Sequence, residues 1–566
     1  MPERERGRIA LRLDAPGSIV AAVFFCLSLT PSLLPRSWLI QGIIAGVVTA
    51  AGYLTGVILG TALRRSIAWR PRPERRRAIR WVITALVAGM CTASLIAGAR
   101  DQRHIYALMD LAPPERLGYL GVPVVAAAVF LVFLLTARVL RIAARALSGL
   151  LVRWVPALVA EIAAALCVAV LVFSLAEGVL AESLLKAADS SFAAVNQETT
   201  PGTTPPRSAA LSGGPSSLVS WESLGRQGRD FVAGAPGLEE LRRFNGRTPV
   251  EPIRVYVGLD SAATLRERAA LAVRELERTG AFSRKVLCVI TTTGTGWVDP
   301  QAAAALEFMY NGDTALVAMQ YSYLPSWLSF LVDRDRAQAA GRELFQQVYE
   351  RWSRLPREHR PKLLVFGESL GAFGAESAFT GDQDLRDRTD GALFVGPPDS
   401  SVLRRRFVHG RDPGSTEVLP IYRKGETVRF ANRPADLAEP SAPWDPPRVV
   451  YLQHPSDPIV WWSPRLLFEK PDWLSEPRGA DVLPHIRWYP IVTFSQITAD
   501  LAFALDVPPG HGHNYDGEVV AAWARIAAPE GWTDERTAEL TALIQRAHPI
   551  GKRYAVGPTA VPTPRP

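Results

Sequence analysis

The segment Gly367-Glu368-Ser369-Leu370-Gly371 sets a serine between small residues. A short apolar run, LLVF at 363–366, leads into it, and a helical pattern rich in small residues (Gly371, Ala372, Gly374, Ala375) follows. Nucleophilic acyl chemistry needs this layout. A serine on a sharp strand-to-helix turn carries its hydroxyl clear of the sheet, and glycines on either side avoid collision with the neighbouring strand and helix. A second string, Trp221-Glu222-Ser223-Leu224-Gly225, lacks the first glycine and a preceding strand. Ser223 therefore reads as a capping or loop serine.

A serine nucleophile needs a base, and the base needs an orienting acid. Behind a turn of this kind they follow in the order Ser, acid, His. Asp457, in His454-Pro455-Ser456-Asp457-Pro458, comes directly after the apolar run RVVYLQ at 448–453. A loop beyond a strand's carboxyl end is where such an acid belongs. Asp399 also follows a strand and is the runner-up, while Asp382, Asp384 and Asp436 have poorer context. The chain holds eight histidines. Position and order set aside His104, His359, His409 and His454, which leaves His485, His511, His513 and His548. The segment Gly510-His511-Gly512-His513-Asn514-Tyr515 reads as a loop built to present an imidazole. His513 is the expected base and His511 the alternative. No third ligand accompanies this pair, so neither a metal nor a cofactor is expected.

Acyl transfer also needs donors for a tetrahedral oxyanion. One is the backbone N–H of Leu370, the residue after the nucleophile. The other is expected from the loop Thr291-Thr292-Thr293-Gly294-Thr295-Gly296-Trp297, with Thr293 as the backbone donor. Its glycines permit the unusual angles that aim an N–H inward. The loop lacks the lysine of a phosphate-binding P-loop.

These residues need a rigid frame. Short apolar runs without alternation fall at 253–258, 286–291, 315–320, 363–366, 392–396 and 448–453, with helical patterns between several of them. That arrangement predicts a mainly parallel, doubly wound α/β sheet buried on both faces. The α/β domain is placed at 218–566, with 401–446 as a possible lid insertion. Residues 189–217, rich in Ser, Thr, Pro and Gly, read as a flexible linker.

Residues 1–188 are different. Apolar runs at roughly 17–35, 38–63, 79–99, 117–137 and 155–180 predict an all-α bundle of about five transmembrane helices. The net charge of +8 gathers in the loops between these runs and in the basic N-terminus. It is read as topology, not as a nucleic-acid surface. Arginines at 64–77 and 138–153 fall on the same side as the N-terminus, which predicts a cytoplasmic N-terminus and an α/β domain outside the cell membrane. Arg80 and Glu161 lie at span edges, where snorkelling accounts for them. The four cysteines show no framework or zinc spacing.

The motifs WESLGRQGRDFV, TTTGTGW, FGESLG, HPSDPIVWW and GHGHNY, taken with the N-terminal runs, resemble a bacterial family, actinobacterial in type. Its members are polytopic membrane proteins with a C-terminal α/β-hydrolase domain. The resemblance implies that fold and a Ser369–His513–Asp457 triad, and it leaves the substrate open. The expected activity is that of a membrane-anchored serine esterase, lipase or acyltransferase acting on acyl esters of lipid or envelope type. The alternative is a non-catalytic scaffold or transport-associated protein whose hydrolase fold serves as a binding module.

Overall fold

The computed structural model describes residues 13–66, 73–115, 117–174, 192–324, 329 and 334–548. The chain forms two units. One comprises residues 1–182 with 464–474 and 482–500, and the other comprises 183–463, 475–481 and 501–566.

The first unit is helical, with α1 (Ala15–Ser28), α2 (Trp38–Ser66), α3 (Pro73–Leu108), α4 (Val122–Leu151) and α5 (Ala157–Ser174). Among the described residues, three stretches are long and apolar enough to cross a membrane: Trp38–Arg64, Arg77–Leu108 and Gly118–Leu151. Ala15–Ser28 and Ala157–Leu171 are apolar but shorter. Each of the five expected apolar runs thus contains a helix among the described residues, and three of the helices have spanning length. Trp81, Leu86, Val124 and Leu158 point outward and are each more than two-thirds exposed. An outward apolar face of this kind suits lipid rather than water.

The helical unit also holds a buried polar centre. Arg36 donates through Nε to Asp500 Oδ1 at 2.7 Å and through Nη2 to the Gln496 carbonyl at 2.7 Å. Ser32 donates to the second oxygen of Asp500 at 2.5 Å. Gln496 donates to the carbonyls of Ser28 and Thr30. Gln496 and Asp500 lie on the helix Val492–Asp500, whose Val492 packs with Ile44 and Val48. A segment expected to belong to a continuous domain over 218–566 is therefore part of the helical unit.

The second unit is built on a seven-stranded sheet: β1 (Ile253–Val257), β2 (Val286–Thr291), β3 (Thr314–Met319), β4 (Lys362–Glu368), β5 (Gly391–Val395), β6 (Val428–Ala431) and β7 (Arg448–Leu452). The order is β1-β3-β2-β4-β5-β7-β6, and all neighbours are parallel. β1, β2, β3 and β5 are buried at every position. This accounts for their unbroken apolar sequence. Arg254, the charged exception in β1, is buried against Glu307, with Nε–Oε1 at 2.8 Å and Nη2–Oε2 at 2.6 Å. The chain leaves β2 towards β3 on one side and leaves β4 towards β5 on the other, so the topological switch lies between β2 and β4. Sites in open α/β sheets form beyond the strand ends at such a switch.

One expectation needs correction. Residues 192–217 do not form a free tether. Leu211 bridges Arg254 of β1, and the Ser212 N–H donates to the Arg254 carbonyl at 3.0 Å. Arg229 donates to the carbonyls of Asn196, Gln197 and Glu198. A segment too polar to form its own core still folds by pairing with the open edge of β1. Residues 189–191 lie outside the described residues. Residues 401–446 supply the helix Val402–His409 and the edge strand β6, and they bury Arg404 and Arg429.

Asp500→Ala would leave Arg36 buried without its counter-charge. Such a loss costs about 3–5 kcal/mol. A lowered melting temperature of the full chain in detergent, largely restored when Arg36→Met is added, is the expected result.

Candidate active site

Ser369 sits on the turn that the sequence requires. Its backbone has φ 55° and ψ −123°, between β4 and the helix Leu370–Glu376. A left-handed φ on a residue with a side chain is strained, and such strain persists only where the surroundings impose it. Here they do. A Cβ on Gly371 would lie 2.4 Å from the Thr291 carbonyl oxygen, and one on Gly367 would lie 2.4 Å from that of Gly371. The Ser369 N–H donates to the Val395 carbonyl at 2.8 Å, which holds the turn against the end of β5.

Asp457 caps the short helix Pro458–Trp461, accepting the Ile459 N–H on Oδ1 at 2.8 Å. Its Oδ2 accepts His513 Nδ1 at 2.6 Å and the Tyr515 hydroxyl at 2.8 Å. Asp457 is fully buried. Donation from Nδ1 leaves Nε2 as the basic nitrogen of a neutral His513. Nε2 is buried and has no hydrogen-bond partner among the described residues. The His513 ring lies against Gly396, where a Cβ would come within 2.4 Å of Cε1. Gly396 directly follows Val395, the residue that holds Ser369. The structure thus brings His513 and Ser369, the expected base and nucleophile, to the end of β5. The hydrogen bond between Ser369 Oγ and Nε2 is not formed here. In free enzymes this contact is often loose and tightens only with substrate.

The other candidates are engaged elsewhere. His511 turns its Nδ1 to Asp481 Oδ2 at 3.4 Å. Asp382 accepts from Arg423, and Asp436 caps its own turn. Ser223 bonds to Ser220 and Ser261. Trp444, Trp461, Trp462 and Trp473 are all buried. The Thr293 N–H donates to the Trp297 carbonyl at 3.0 Å, which closes its loop on itself. That donor is occupied in this structure, contrary to expectation. Leu370 opens its helix, where the first N–H groups have no acceptor within the helix.

Several residues had no role assigned from sequence. Tyr515 joins the two catalytic loops, because its oxygen also accepts the His454 N–H at 3.1 Å. The His454 ring stacks on Tyr515 with centroids 4.0 Å apart. Its Nδ1 faces the Gly512 carbonyl at 2.8 Å and its Nε2 faces Glu518 at 2.6 Å. Both ring nitrogens meet acceptors. Burial opposes a charge on this ring, but Glu518, Asp481 and the Gly512 carbonyl outweigh it and raise the His454 pKa. Ser456 donates to Asp481 and accepts the Gly512 N–H at 2.7 Å. Only the two-residue spacing of Tyr515 from His513 hinted at any of this.

A parallel sheet with a strained serine turn after its central strand is the architecture of the α/β hydrolases. The chain belongs to an alpha/beta-hydrolase family: a family model of that description matches residues 253–540, and the model of the family's N-terminus matches residues 29–236. No curated protein and no solved structure matches the chain.

Tyr515→Phe would strip Asp457 of one donor and leave the His454 N–H without its acceptor. Unsatisfied buried groups of this kind cost about 1–3 kcal/mol each. The expected outcome is a lower melting temperature, together with a roughly tenfold slower reaction at Ser369 with a fluorophosphonate, as follows from about 1.4 kcal/mol on the barrier.

Proposed function

We propose that the protein is a membrane-anchored serine hydrolase of carboxylic esters, working through an acyl-enzyme on Ser369. The observation that carries this reading is the Asp457–His513 pair. It presents a buried, unpartnered Nε2 beside the turn that bears Ser369. Ser369 Oγ attacks the ester carbonyl carbon while its proton passes to Nε2. The carbonyl π pair moves to oxygen, and the Leu370 N–H stabilises that oxyanion. A second donor from the Thr291–Trp297 loop would require Thr293 to release the Trp297 carbonyl. When the C–O bond to the leaving alcohol breaks, His513 returns the proton to the alcohol oxygen. Water or an acceptor alcohol, deprotonated by His513, then attacks the acyl-serine carbonyl, the C–O bond to Ser369 breaks, and His513 returns the proton to Oγ. Asp457 keeps its charge throughout and stabilises the imidazolium.

The three apolar helices of spanning length support a multi-pass anchor. The arginine distribution supports an extracytoplasmic catalytic unit. Lipid or envelope acyl esters are the substrates this location favours.

Ser369→Ala is expected to abolish fluorophosphonate labelling and hydrolysis of an acyl-ester panel, with His513→Ala and Asp457→Asn strongly impaired. Mass spectrometry of the labelled peptide is the check. A label retained in the Ser369→Ala protein would exclude the assignment.

A further inference from the structure

Two buried acids beside the nucleophile lack a counter-charge. Glu368 precedes Ser369 at the end of β4, and its Oε2 has no donor among the described residues. Asp299 ends the loop that follows β2 and caps the helix Pro300–Met309, accepting the Gln301 N–H on Oδ1 at 2.7 Å. Its Oδ2 also has no donor. Each carboxyl acts on the other as a direct side-chain neighbour, and two carboxyls can bond to one another only through a proton. The other charges bearing on them are acids as well, Asp457 on Glu368 and Asp516 on Asp299.

We propose that Glu368 is a positioning residue: a proton shared with Asp299 ties the nucleophile turn to the loop after β2, the loop from which a second oxyanion donor must come. The positioning role rests on Ser369 being the nucleophile. Two ionised carboxylates in this place would repel, and the turn and the loop would separate. Burial first, then Asp299 and Asp457, push the Glu368 carboxyl well above the usual carboxylate range. Burial first, then Asp516, push Asp299 up to about 7 against its hydrogen bonds. A pKa raised on folding means stability that is full below the unfolded value and lost as pH rises through the folded one. The window therefore opens near the ordinary carboxylate value of about 4 and extends through about 7.

Glu368→Gln replaces the shared proton with an amide donor that does not titrate. In full-length protein in detergent, the wild-type melting temperature should fall as pH rises across this window, and the fall should be shallower in Glu368→Gln. Comparing the two cancels slopes from other groups, His454 included. An unchanged slope would overturn the shared proton, and this readout does not depend on catalysis. In the labelling assay, Glu368→Ala should react of the order of 10²-fold more slowly, the cost of a misplaced catalytic group. Glu368→Gln should lose less, and its rate should decline less at alkaline pH. Labelling of Glu368→Ala at the wild-type rate would overturn the positioning role. If Glu368→Ala does not fold, the alkaline limb of Glu368→Gln decides: a limb matching wild type overturns the role. A wild-type protein that takes no label would sink the proposed function alone, and the stability comparison would still judge the proton pair.

Discussion

A carboxylate cut off from water must be met by donors, and Asp457 is cut off completely. Three donors reach it, from Ile459, His513 and Tyr515. Satisfying that one charge organises the surrounding loops. The Ile459 N–H fixes the turn after β7. The His513 contact sets the tautomer of the base. Tyr515 carries the constraint further, because its oxygen also accepts from His454, whose ring is closed by Gly512 and Glu518. The segments 454–459 and 510–518 are thereby held as one body, although more than 50 residues of chain separate the paired groups.

The backbone of the Ser369 turn is set by packing. The register of β2 against β4 pairs Thr291 with Gly367, so both strands end at the same level. The helix after Ser369 must then cross directly over the Thr291 carbonyl, with no room for a Cβ at Gly371. Close approach and the strained φ of Ser369 are two results of one geometry. The loop after β2 leaves from this same point, so the two candidate oxyanion elements are neighbours by topology.

Much of this was legible in the sequence because it is local. The turn around Ser369 needs only a strand, two glycines and a helix in succession. Asp457 and His513 follow from chain order and the shortage of histidines. The doubly buried strands show themselves by their lack of alternation. What stayed hidden depends on distant partners. Asp500 gains meaning only beside Arg36, 464 residues away. Composition made 192–217 look like a tether because composition counts only a segment's own apolar surface, not the strand edge it will cover. Thr293 stands in the expected loop, but its N–H direction is set by a turn closure that residue types do not reveal. The pairing of Asp299 with Glu368 joins a helix cap to a motif position, and each looks ordinary alone.

Buried charge in this protein is neutralised in two ways, and the difference has consequences. Asp500 and Glu307 each face an arginine that stays charged at any working pH. Around the nucleophile the counter-ions are titratable or absent. His513 and His454 face carboxylates, and Asp299 and Glu368 face each other. An arginine beside Ser369 would steady the acids, but it would also hold His513 less firmly to Asp457 by competing for that carboxylate. The proposed passage of a proton from serine to histidine and back is better served by groups whose charge a proton can change. The frame is therefore pinned by permanent charge, and the chemistry is surrounded by protonic charge.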